Sequence, residues 1–159
     1  MHETRATMVR RQVDSAEDFR FSLEDWALQY GLHVNRHRTI VEHLGLCWET
    51  HGLDLCGPLC SRTRRKIERV KLSVNPGGRD PTQWKEEWTN FGAVHSVGNR
   101  TLCAVVWIPT ASFHSLMLAL VGNRVAGASI AVTFTGRGAG GVHDFTVARS
   151  KSELEPAGE

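Results

Sequence analysis

The pattern of apolar and polar positions changes period along this chain, and each change predicts a different kind of element. Residues 1–20 mix Arg, Glu, Asp, Gln and Ser with no sustained apolar repeat and read as a disordered lead-in. Leu23, Trp26, Ala27 and Tyr30 then recur at helical spacing, with Ser22 and Asp25 as a capping box and Gly31 as a stop. This predicts a short amphipathic helix. A second is predicted where Asn35 stands as cap, Ile40, Val41 and Leu44 share one face, and Gly45 closes the run. From Leu46 to Leu59 the breakers Gly52, Gly57 and Pro58 leave no regular period, which predicts a loop-rich connection.

Beyond residue 60 the period falls to two. Ile67, Val70, Leu72 and Val74 follow a strongly basic stretch and predict a strand, which Asn75-Pro76-Gly77-Gly78 turns. Pro81 opens a short helical turn that carries Trp84 and Trp88 on one side. Gly98-Asn99 joins two strands as a tight hairpin, and the second, Thr101 to Trp107, is so apolar that it reads as covered on both faces. Phe113, Leu116, Met117, Leu120 and Val121 define a helix ending at Gly122-Asn123. Two strands, residues 125–135 and 142–148, close the pattern across the glycine-rich link Gly136 to Gly141.

Together these elements predict an α+β fold: short N-terminal helices, then a mainly antiparallel sheet with a covering helix, in an order close to that of a ferredoxin-like unit. The expected layout is one domain over residues 21–149, helical and Cys/His-containing through residue 60 and β-rich from residue 61. Residues 150–159 read as a flexible tail.

Composition narrows this picture only a little. With 159 residues, 41% hydrophobic and 23% charged, the chain suits a packed core and no fibrous class. No run approaches the ~18 apolar residues of a membrane span, and the polar N-terminus lacks a signal-peptide pattern, so a cytoplasmic protein without membrane contact is expected. The net charge of +2 is too small to demand a polyanionic partner, and local clustering therefore decides.

The densest cluster of metal-binding residue types is Cys47, His51, Cys56 and Cys60, spaced C-x3-H-x4-C-x3-C. Thiolate and imidazole suit tetrahedral zinc, although this spacing follows no standard zinc signature. The cluster leaves two readings, buried unligated thiols with no cofactor, or a zinc site. His33, His37 and His43 lack the glutamate that makes paired histidines informative.

A second cluster is basic. Ala27, Gly31 and Ile40 resemble the spacing of a helix-turn-helix over Leu23 to Leu44, departing from it where His37 stands at a core position. That resemblance implies base or phosphate contacts from Asn35, Arg36 and Arg38, with Arg62, Arg64, Arg65 and Lys66 adding backbone contacts. Trp84, Trp88 and Lys85 offer stacking on single strands, but the strand Thr101 to Trp107 lacks the basic-aromatic signature of an RNA-recognition motif.

Catalytic signals are weak. Cys103 lies in an apolar strand, His143-Asp144 is a lone dipeptide, neither Ser112 nor Ser115 sits in a nucleophile elbow, and Gly136 to Gly141 is no phosphate loop. No catalytic residue is therefore assigned. The expected function is that of a non-enzymatic regulatory or accessory protein that contacts nucleic acid through residues 36–71. The alternatives are a protein-protein interaction subunit, pairing with a partner or with itself by a sheet edge or the tryptophan segment, and a zinc-binding protein.

Overall fold

The computed structural model describes residues 16–34 and 47–155, and these fold as one eight-stranded mixed sheet with a single α-helix among them. The strands are β1 (Glu17–Ser22), β2 (Asp25–Val34), β3 (Cys47–Pro58), β4 (Arg69–Asn75), β5 (Gly92–Gly98), β6 (Thr101–Trp107), β7 (Gly127–Gly136) and β8 (Ala139–Ala148). The helix α1 (Thr110–Val121) joins β6 to β7. The order across the sheet is β1-β7-β8-β5-β6-β4-β3-β2, and only β4 and β6 run parallel.

This overturns the predicted fold class of short N-terminal helices before a sheet with a covering helix. The segment read as a first helix is strand β2, and the supposed loop after Leu46 is strand β3. The helical reading linked Leu23, Trp26, Ala27 and Tyr30 but left out Leu28 and Leu32. The period-two row Trp26, Leu28, Tyr30, Leu32 takes in both, and its ladder with β3 sets Trp26 against Leu55 and Leu28 against Leu53. The second predicted helix lies outside the described residues. A ferredoxin-like unit is ruled out as well, because β1 and β3 are integral to the same sheet and the expected turn of helix at Trp84 shrinks to a 3-10 turn, Pro81–Gln83.

The sheet curls until its ends meet. Phe21 of β1 bridges Leu59, and the Cys60 amide donates to the Arg20 carbonyl at 2.7 Å. β1 and β2 thus act as one bent strand, its first half on β7 and its second on β3, with the corner at Leu23-Glu24. The corner is tight: a Cβ on Gly57 would lie 1.6 Å from the Ser22 carbonyl oxygen, so only glycine lets the two backbones approach. Arg69 at the start of β4 ties the corner through an ion pair to Glu24 at 2.9 Å.

One face of the curled sheet is the core. Phe19, Phe21, Leu53, Leu55, Val70, Leu72, Val74, Leu102, Val106 and Ile130 are fully buried there, and α1 contributes Phe113, Leu116 and Leu120. Val121, placed on the same helical stripe by sequence, is exposed.

Local turn chemistry also corrects the sequence reading. The β5–β6 hairpin turns on Asn99-Arg100, both in the left-handed region at φ 49° and 59°, one residue later than expected. The Gly136 to Gly141 stretch is mostly strand, with Arg137-Gly138 as its turn and Gly138 at φ 74°. β6 is buried along its core face, and on the other face Val105 is buried, Cys103 partly accessible and Trp107 exposed.

Candidate interaction surface

Strand β2 ends the sheet, and β3 outruns its other neighbour. The β3–β4 ladder covers Leu53 to Pro58, whereas β2 pairs β3 from Asp25↔Cys56 to Val34↔Cys47. Residues 29–34 and 47–52 therefore form a two-stranded arm beyond the body of the sheet. Side chains opposite each other across an antiparallel ladder share a face. Trp26, Leu28, Tyr30 and Leu32 consequently share the face of Leu53 and Leu55, which is the core face.

Among the described residues no element stands over that face on the arm. Leu53 and Leu55 are fully buried, while Leu28, opposite Leu53 at the root of the arm, and Tyr30 and Leu32 on it are 50%, 59% and 60% exposed. Tyr30 packs edge-on against His51 across the strands, with ring centroids 5.3 Å apart. The opposite face is polar, with the Gln29 amide donating to Asp54 and Asp54 accepting from Ser73 of β4 at 2.7 Å. No described strand pairs the outer edge of β2, and from Trp26 to Leu32 it holds no Asp, Glu, Lys, Arg or Pro, the residues that normally blunt an exposed edge.

An aromatic cleft lies at the same end of the sheet as the arm. Asn75 of β4 abuts Gly52 at the root of the arm and pairs with Trp107 of β6. Trp107, Trp84, Phe91, Asn90 and Arg79 line a cleft of about 340 Å³ beside it. Trp84 and Trp88 meet at 86° with centroids 5.7 Å apart, and the Trp84 indole N–H donates to the Trp88 carbonyl. The ring of Trp88 is occupied by the chain's own cations, Arg79 at 3.8 Å and Lys85 at 5.2 Å from its centroid. Asp80 caps the turn, and hydrogen bonds from the Thr82 backbone and hydroxyl hold its carboxyl below the usual range.

The basic residues picked from sequence lie elsewhere. Arg62, Arg64, Arg65 and Lys66 precede β4 and are exposed at the end of the sheet opposite the tryptophan cleft, about 20 Å away along β4 at roughly 3.3 Å per residue. Arg65 is engaged internally, paired with Glu17 at 3.1 Å and lying 3.6 Å from the centroid of the Phe134 ring. Arg62, Arg64 and Lys66 form no ion pair with a described residue. Asn35, Arg36 and Arg38 lie outside the described residues, as does the second half of the helix-turn-helix resemblance. Its first half is strand β2, and Gly31, expected at the turn, pairs with Thr50 inside that strand.

The four candidate zinc ligands are drawn apart by β3. Cys47 and Cys56 stand nine residues apart on one strand, roughly 30 Å at about 3.3 Å per residue, and His51 and Cys56 alternate to opposite faces. Cys60 is exposed beyond the strand. Among the described residues no group of three His, Cys, Asp or Glu converges to hold a metal ion. His143 and Asp144 part company too: His143 bonds Thr133 at 2.8 Å while Asp144 accepts from Thr146. No helix among the described residues is long and apolar enough to cross a membrane.

The arm went unread in the sequence, although its signal, the alternation in Asp25-Trp-Ala-Leu-Gln-Tyr-Gly-Leu32, was there to find. Comparison with known protein families, with curated proteins and with solved structures returned no match.

Proposed function

We propose that this chain is a protein-interaction module that associates by strand addition at the free edge of β2, and that the strand it takes is β2 of a second copy. The observation that carries this reading is the continuation of the apolar core face past its last described cover, along an edge strand with no Asp, Glu, Lys, Arg or Pro from Trp26 to Leu32. A two-stranded ribbon is marginal by itself in water, and a third strand on its edge would satisfy the open backbone groups.

The sequence of β2 favours a copy of itself. In an antiparallel pair with a two-fold axis at Tyr30, Leu28 of each chain meets Leu32 of the other and the tyrosines face one another, with no like charges opposed from Trp26 to Leu32. The two exposed apolar rows would then merge into one. Sedimentation equilibrium tests this: the native chain should show a concentration-dependent monomer-dimer equilibrium, and Leu32→Lys should shift it at least about tenfold toward monomer, since it sets a buried charge against leucine. A native chain that stays monomeric at millimolar concentration removes the reading.

A second reading rests on Arg62, Arg64 and Lys66, exposed and without a described carboxylate partner. Nucleic acid contact there predicts binding to oligonucleotides that weakens steeply with salt and is lost in a triple Gln variant. Salt-independent binding, or none, removes it.

A further inference from the structure

A cavity of about 860 Å³ lies away from both the arm and the tryptophan cleft, between α1 and the end of β8. Its walls have two characters. Leu116 and Leu118 of α1, with Val125, Phe145 and Val147, give it an apolar lining. Phe145 and Val147 pair with Ile130 and Ala128 and so stand on the core face of the sheet, where α1 leaves them half covered. Ser112 and Ser115 also line it, Arg124 and Arg149 supply its only charges, and no Asp or Glu takes part.

The ladder brings the two arginines to one end of the cavity. Gly127 opposes Ala148, and the Ala126 amide donates to the Ala148 carbonyl at 2.8 Å, so Arg149 continues beside Ala126, two residues from Arg124. Neither guanidinium forms an ion pair with a described residue. The neighbouring carboxylate, Glu153, accepts instead from the backbone N–H of Arg149 at 3.0 Å and from the Ser150 hydroxyl. Two fixed positive charges at one end of an apolar trough match a ligand that carries its negative charge at one end of an apolar body.

From this geometry we infer that the α1–β8 groove binds a single amphiphilic anion, a monomeric carboxylate with an unbranched apolar chain, its head on Arg124 and Arg149 and its tail along Leu118, Val125, Phe145 and Val147. The volume lies within the range of small-molecule sites, which favours one free molecule over a bilayer. This site is independent of the β2 edge and does not rest on the association proposed above.

The test is calorimetric titration of the full chain with decanoate below its micelle concentration, in parallel with 1-decanol, and with methyl resonances of Ala119, Val125 and Val147 followed by NMR. Decanoate should bind more tightly than decanol and shift those methyls. Arg124→Gln with Arg149→Gln should weaken decanoate at least about tenfold and leave decanol unchanged, because only the charged head uses the arginines. All the altered side chains are exposed, so folding, checked by melting temperature, should survive; Leu118→Glu, on the outer wall of the groove, should weaken decanoate too. Leu32→Lys, which disrupts the arm, should leave decanoate affinity unchanged. Equal affinities for decanoate and decanol, an affinity indifferent to the arginines, or shifts confined to the arm would overturn the inference. So would capture by phosphatidylserine vesicles without binding of monomeric decanoate.

Discussion

The body of the sheet and its arm are built from the same alternation of apolar and polar side chains, yet one row is sealed and the other open. Leu55 and Leu53 in the body are fully buried; Leu28, Tyr30 and Leu32, on the same face, are half exposed or more. The difference comes from neighbours rather than composition. In the body Leu53 and Leu55 join the core cluster with Phe19, Phe21, Leu72 and Phe113, whereas on the arm β3 has lost β4 and nothing among the described residues covers the face. An apolar row stabilises a fold where it is covered and creates a binding surface where it is not.

Substitutions on the two parts should therefore read out differently. Phe21→Ala, at the closure of the sheet and fully buried, should cost about 3–5 kcal/mol in urea unfolding and abolish the folded state if total stability is low. Gly57→Ala should follow at about 1–3 kcal/mol, because the new Cβ meets the Ser22 carbonyl and forces the corner apart. Leu32→Ala on the arm should change monomer stability by only about 0.5 kcal/mol or less, while lowering association measured by sedimentation. If Leu32→Ala instead cost as much as Phe21→Ala, the arm would belong to the core and the contrast would fall.

The smallest effect concerns acid. The Arg69 guanidinium beside Glu24, by hydrogen bond and charge, holds that carboxyl below its ordinary 4.5. A depressed folded value means that the pair stabilises the corner above that pH and loses this contribution as pH falls through the folded-state value. Both groups are exposed, so Glu24→Gln should flatten the acid limb of the stability curve only slightly, and added salt should erase the difference.

Legibility in the sequence followed how local each signal was. The helix Thr110–Val121 and the strands from Arg69 onward were readable because their apolar spacing admits one period and Gly, Pro or Asn marks their ends. β2 was not, since Trp26, Ala27 and Tyr30 satisfy a helical stripe as well as a strand row, and only Leu28 and Leu32 break the tie. β3 was hidden by Gly52, Gly57 and Pro58, which there mark contact with Asn75, the tight corner and the strand's end rather than a loop. Closure of the sheet, Phe21 on Leu59, joins residues far apart in sequence and left no local trace. The arm's exposure was invisible for the same reason, as it depends on where β4 stops. The groove arginines were overlooked because Arg124 and Arg149 meet only through the β7–β8 register.

Hydrogen exchange of the β2 amides at two protein concentrations tests the central claim most directly. If the open edge takes a second copy, alternate amides between Trp26 and Leu32, those turned away from β3, should exchange quickly in dilute solution and slow markedly in concentrated solution, with the amides of β4 and β6 unchanged. Exchange along β2 that is the same at both concentrations would contradict the account.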